Sequence, residues 1–158
     1  MQRNKVLNAL GFQLCWCACV FGGNNWAIPV VAAFILLHIR LLNPCEWRKI
    51  LLFAVSGIVA DTCLLYAGLT AFPQSDAGVI PLWLMLLWLA FALTLPLSLS
   101  FFHRWPKAAA LAAAVFAPLS YLAGDKVDAV MITPLGFGAI SAYWGLFLFI
   151  YFRRSYPC

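Results

Sequence analysis

Six apolar runs divide the chain, and polar or turn-forming residues end each of them. A helix that crosses a bilayer takes about 20 residues. The runs lie at about 6–22, 26–43, 49–71, 80–102, 108–124 and 130–152. Between them stand "GGNNW", "NPCEWRK", "FPQSDAGVIP", "HRWPK" and "GDKVD", and "RRSYPC" closes the chain. Gly, Pro, Asn and Asp interrupt regular structure for backbone reasons, so these are the connections. The pattern predicts an all-α integral membrane bundle of six transmembrane helices, a single polytopic domain over residues 1–158.

Composition removes the soluble alternative. Of 158 residues, 65% are hydrophobic and 9% charged, against about 25% charged in a soluble domain. Too little polar surface remains to cover a globule in water. The net charge of +5 is no nucleic-acid footprint either, because the basic residues come as small clusters between apolar runs.

Those clusters set the expected orientation. Arg3, Lys5, Arg40, Arg48, Lys49, Arg104, Lys107, Arg153 and Arg154 fall on one side of a six-span arrangement, and Lys126 on the other. Such a bias marks the cytoplasmic face, so both termini are expected inside. The segment from Met1 to Gly23 has the basic start of a secretory signal, but no small-x-small site follows cleanly. It is expected to stay as the first span. Cys15, Cys17, Cys19 and Cys63 lie inside spans, and Cys45 is placed on the reducing side, so free thiols are expected.

The chemistry must come from the few polar residues within the runs. Asp61 is the foremost, lying about a dozen residues from the nearest Lys or Arg. An Asp at a helix centre costs roughly 2.5–3.5 kcal/mol to insert, and such acids are functional candidates. Gly57 and Gly68 fall near its face, so the carboxyl should point into the bundle, toward Gln13, Thr94 or Tyr121. The plainer alternative is a hydrogen-bonding tie to Thr62, Tyr66 or an Asn. In the fourth run Pro96 should kink the helix, with Thr94 and Ser98 on either side of it. The candidate intramembrane polar site is therefore Asp61, Gln13, Thr94, Ser98 and Tyr121. Small residues crowd the third, fifth and sixth runs, including a stack of Gly138, Ala142 and Gly145, and these helices should pack most tightly.

His38 and His103 sit near span ends, beside Arg40 and Arg104, and are read as interfacial. With Glu46 their spacing requires no metal, and no cofactor is called for. Trp26, Trp47 and Trp105 read as interface anchors. No phosphate loop, zinc-protease helix or nucleophile triad is present.

In its order of words, "FQLCWCACV", an acid after the small residues of the third run, "PLWLMLLWLAFALTLPLSLSFF" and "PLSYLAG", the chain resembles the domain-of-unknown-function 2878 family of small bacterial inner-membrane proteins. The resemblance brings no reaction with it. It implies an inner-membrane location and, through gene neighbourhoods of cyclopropane-synthase-like enzymes, a link to acyl-chain modification. The first expectation is thus a non-enzymatic protein whose partners are membrane lipids, a membrane protein or a second copy of itself. A small transporter or flippase with a midplane site around Asp61 is the alternative, and a lipid-phase enzyme the third.

Overall fold

The computed structural model describes the backbone of residues 2–73 and 78–154, with side chains from Lys5 onward. The middle of the 72–81 connection, the last four residues and the Arg3 side chain lie outside the described residues. The regular structure of the described chain is helical apart from two two-residue strands, and four of its helices are long and apolar enough to cross a membrane. It forms two compact units, one of residues 1–63 and 74–100, the other of 64–73 and 101–158.

The first unit begins with α1 (Gln2–His38). Its 37 residues would make a straight rod about 55 Å long, far beyond a bilayer core of about 30 Å. The helix is instead folded at Gly23, whose φ of 54° and ψ of −148° suit glycine and strain other residues. The two arms, 2–22 and 24–38, lie side by side: Asn8 bonds to His38, and a Cβ on Gly11 would come within 2.7 Å of the Phe34 ring. Cys15, Ala18, Cys19, Ala27, Val31 and Phe34 fill the buried seam. Cys17, on the opposite face, is exposed.

α2 (Pro44–Tyr66) starts with a capping box: Asn43 Oδ1 accepts from the Glu46 N–H, and Glu46 Oε2 accepts from the Asn43 N–H, both at 2.9 Å. Its buried stripe runs Ile50, Phe53, Ala54, Gly57, Asp61, one face of a helix. α3 (Leu82–Ala92) lacks a cap of its own, and Asn24 in the α1 fold supplies one, accepting from the Trp83 N–H at 2.9 Å. Asn24 therefore holds two elements together in addition to marking the end of a run. Beyond Ala92 the fourth run loses its α-helical geometry. Pro96 has no N–H to give to the Ala92 carbonyl, which accepts from Leu95 instead, and the segment passes through tight turns to Ser100.

In the second unit the end of α2 closes in a Schellman motif, with the Leu69 N–H on the Leu64 carbonyl and the Gly68 N–H on the Leu65 carbonyl. Gly68 has φ +68°. Its expected place on a packing stripe is corrected: it ends the helix. A 3₁₀ turn (Ser100–Arg104) leads into α4 (Pro106–Asp125), and α5 (Pro134–Arg154) returns alongside it. A short antiparallel pair, β1 (Thr70–Ala71) with β2 (Met131–Ile132), ties their connection to the 64–73 segment. Gly145 faces Ala110 and Ala114, and the Ser141 hydroxyl donates to the Ala114 carbonyl at 2.7 Å. Gly138 faces open space, so the expected stack narrows to Gly145.

Cys45 is disulfide-bonded, which corrects the expectation of a free thiol there. That expectation came from the compartment alone, whereas the fold decides which sulfurs meet. Cys15, Cys17, Cys19 and Cys63 are free.

Candidate functional site

Two buried polar clusters stand out, both within the first unit. The larger is built on Asn8, which is fully buried. Its Nδ2 donates to His38 Nε2 at 3.1 Å and to the Leu93 carbonyl at 3.5 Å. Its Oδ1 accepts from the Ser98 hydroxyl at 2.7 Å and the Ser98 N–H at 3.3 Å. His38 is buried too, and its Nδ1 lies 2.6 Å from the Phe34 carbonyl. One turn before Asn8, Lys5 donates to the Ser100 hydroxyl at 3.0 Å. The first arm of α1 thereby holds the irregular segment after α3 at two points.

The second cluster is Asp61 with Trp88. The indole N–H donates to Asp61 Oδ2 at 2.6 Å, with Asp61 at 1% exposure and Trp88 at 2%. Gly57, one turn below Asp61, makes this possible. A Cβ there would overlap the six-membered ring of the indole, so only glycine lets the ring lie against α2. Phe53 packs beside the same indole at 6.0 Å between centroids. Trp88 was not among the partners the sequence suggested. An indole N–H is a donor and nothing else, which suits a carboxylate, and its apolar body fills the interface that a smaller donor would leave open.

Each of the five expected site residues has a described place. Ser98 joins the Asn8 cluster. Thr94, 2% exposed, turns back on its own segment and donates to the Phe91 carbonyl at 2.6 Å. Asp61 belongs with Trp88. Gln13 is exposed on α1, away from the buried seam. Tyr121 is buried in α4 of the second unit. Asn8 and His38, which anchor the larger cluster, were not among the five. They stand fifteen residues before and fifteen residues after Gly23, and that symmetry about a double glycine is the feature that pairs them.

In the second unit Thr133 and Asp125 serve local structure. The Thr133 hydroxyl donates to the Leu69 carbonyl at 3.2 Å and accepts from the Gly136 N–H at 3.0 Å, capping α5. Asp125 Oδ1 accepts from the Ile132 N–H at 3.2 Å. Among the described residues no three of His, Cys, Asp and Glu gather in one place.

No curated protein and no solved structure matches the chain. One family model does, over residues 5–150, described as a protein of unknown function, DUF2878. That span takes in both clusters and nearly the whole of both units, and the chain belongs to this family.

Proposed function

We propose that the chain is a bacterial inner-membrane protein of six crossings that works by binding lipid within the bilayer, in an accessory role to acyl-chain modification. In support of six crossings, α1 folds into two arms at Gly23, α2, α4 and α5 are each long and apolar, and α3 with its extension makes the sixth. In support of cytoplasmic termini, nine of the ten Lys and Arg residues fall to one side of that arrangement. The disulfide at Cys45 pulls the other way, since structural disulfides belong to oxidising compartments. Reporter fusions at residues 45 and 105 against 24 and 126 decide it, and an outside reading at 45 and 105 overturns the orientation.

The main support for a binding role, in place of catalysis, is that the two buried polar clusters of the first unit are spent on holding segments together. Asn8, His38 and Ser98 bond to one another, and Asp61 bonds to Trp88. What the chain offers outward is apolar: Leu7, Leu14, Leu36, Leu37, Leu111 and Leu135 are all well exposed. The test is to extract the protein in its native bilayer patch and compare its lipids with those of the whole membrane. Enrichment of one acyl class is expected. A composition equal to bulk overturns lipid binding and leaves a protein partner or a second copy as the occupant of that surface.

One observation favours a transporter as the second reading. Helices broken within a span are a recurring feature of transport sites, and the run after α3 is broken at Pro96. Asp61→Asn separates the two readings, because it keeps shape and removes ionisation. Normal assembly with lost function supports a transporter. Retained function, with assembly failing only in Asp61→Leu, supports a structural tie.

A further inference from the structure

Where Pro96 breaks the fourth apolar run, a single side chain takes up the hydrogen bonds that the break sets free. In an unbroken helix the Leu93 carbonyl would accept from the Leu97 N–H, and the Ser98 N–H would donate to the Thr94 carbonyl. Here the Leu97 N–H goes to the Thr94 carbonyl at 3.2 Å, and the Leu99 N–H reaches the same oxygen at 2.9 Å. The Leu93 carbonyl and the Ser98 N–H are released, and Asn8 meets both, donating at 3.5 Å and accepting at 3.3 Å. The Ser98 hydroxyl gives Asn8 Oδ1 a second proton at 2.7 Å. The amide can do this in one orientation only.

His38 sets that orientation. The Phe34 carbonyl can only accept, so His38 Nδ1 carries a proton and Nε2 is left as the acceptor for Asn8 Nδ2. This holds while the imidazole is neutral. A proton on Nε2 turns the acceptor into a donor facing the donors of the Asn8 amide. The amide can then answer His38 only by turning over. Turning over takes the acceptor away from Ser98 and the donor away from Leu93.

We propose that His38 is a proton-sensitive switch for the broken fourth run: uptake of a proton at Nε2 inverts the Asn8 amide and releases segment 93–100. His38 ends its arm beside the exposed residues Ile39, Arg40 and Leu41, which gives the proton a short way in. Among the described residues of this unit, these groups lie near it. From its own arm come the Phe34 carbonyl and ring, the ring centroids 4.4 Å apart, and the exposed Arg40. From the facing arm come Asn8 and, one turn away, Lys5, whose ammonium is held by Ser100. The run from Leu82 to Ser100 carries no ionisable residue. Next along the chain, the start of α2 carries Glu46, engaged with Asn43, together with Arg48 and Lys49.

Amide hydrogen exchange of the full chain in nanodiscs tests this, with protection of residues 93–100 compared at pH 8 and pH 5 after correction for the intrinsic rate. Those limits bracket histidine titration at about pH 5–8. Protection of the segment is expected to fall about tenfold on acidification, the size of one lost hydrogen bond in a local opening, while α4 stays unchanged. His38→Gln keeps an acceptor and cannot titrate in this range, so its protection should not respond to pH. Asn8→Asp gives a carboxylate that accepts from imidazolium and Ser98 together, and should abolish the loss. A flat wild-type response overturns the proposal. So does a full loss in His38→Gln, which would place the proton elsewhere. If His38→Gln does not assemble, a wild-type loss in Asn8→Asp overturns it instead.

Discussion

In the unit of residues 1–63 and 74–100, the Asn8 side chain alone makes four hydrogen bonds to His38, Leu93 and Ser98. In the other unit, α4 and α5 meet through Gly145, Ala110 and Ala114, with the Ser141 hydroxyl bonded across to a backbone oxygen. Both solve the same difficulty. In lipid there is no hydrophobic gain from pressing two apolar helices together, so association must come from close packing or from polar bonds. Close packing suits regular helices, whose small residues repeat at fixed spacing. A broken helix cannot offer that surface, and its freed backbone groups require a polar partner. The choice between the two therefore follows from Pro96 in the first unit and from the unbroken α5 in the second.

The comparison can be broken by substitution, read as the shift in the unfolding midpoint of detergent-solubilised protein. Asn8→Leu should have the largest effect, about 3 kcal/mol, because it removes several bonds and leaves the Leu93 carbonyl and the Ser98 N–H bare. Gly136→Ala should follow at about 2 kcal/mol, since the new methyl runs into the Leu69 carbonyl and backbone cannot swing aside. Asp61→Leu should cost about 1.5 kcal/mol, and Asp61→Asn about 0.6, as the indole keeps an acceptor only in the second. Gly145→Ala should be mildest, under about 1 kcal/mol. Its Cβ would sit 3.2 Å from that of Ala114, a contact that a small helix shift relieves. If Asn8→Leu costs no more than Gly145→Ala, polar bonding does not distinguish the first unit and the comparison fails.

Much of this was legible in the sequence wherever one residue acts through its own backbone. The double glycine predicted the fold in α1, and Pro96 predicted a kink in the fourth run, where the structure ends α3 at Ala92. Gly57 beneath Asp61 predicted an inward carboxyl, and the structure buries it. What stayed hidden depends on which segments become neighbours. Trp88 is one of seven tryptophans, and nothing in its local sequence marks it as the donor to Asp61. His38 lies near the end of an apolar run, where polar residues ordinarily meet headgroups, and was read as interfacial, while Asn8 carried no signal of its own. The strands β1 and β2 are two residues each, too short to carry a period. Gly68 was misplaced because a glycine that ends a helix and one that lines its packing face occupy the same kind of position in an apolar run.

The fold at Gly23 also fixes an order of events. Residues 8 and 38 are synthesised well before residue 98, and neighbouring helices of a hairpin can meet as soon as both exist. The Asn8 amide can therefore be turned by His38 while its oxygen still waits for a partner. When the fourth run arrives with its backbone opened by Pro96, a correctly oriented acceptor is already in place. The hairpin thus acts as a template that receives the one segment unable to complete its own hydrogen bonds.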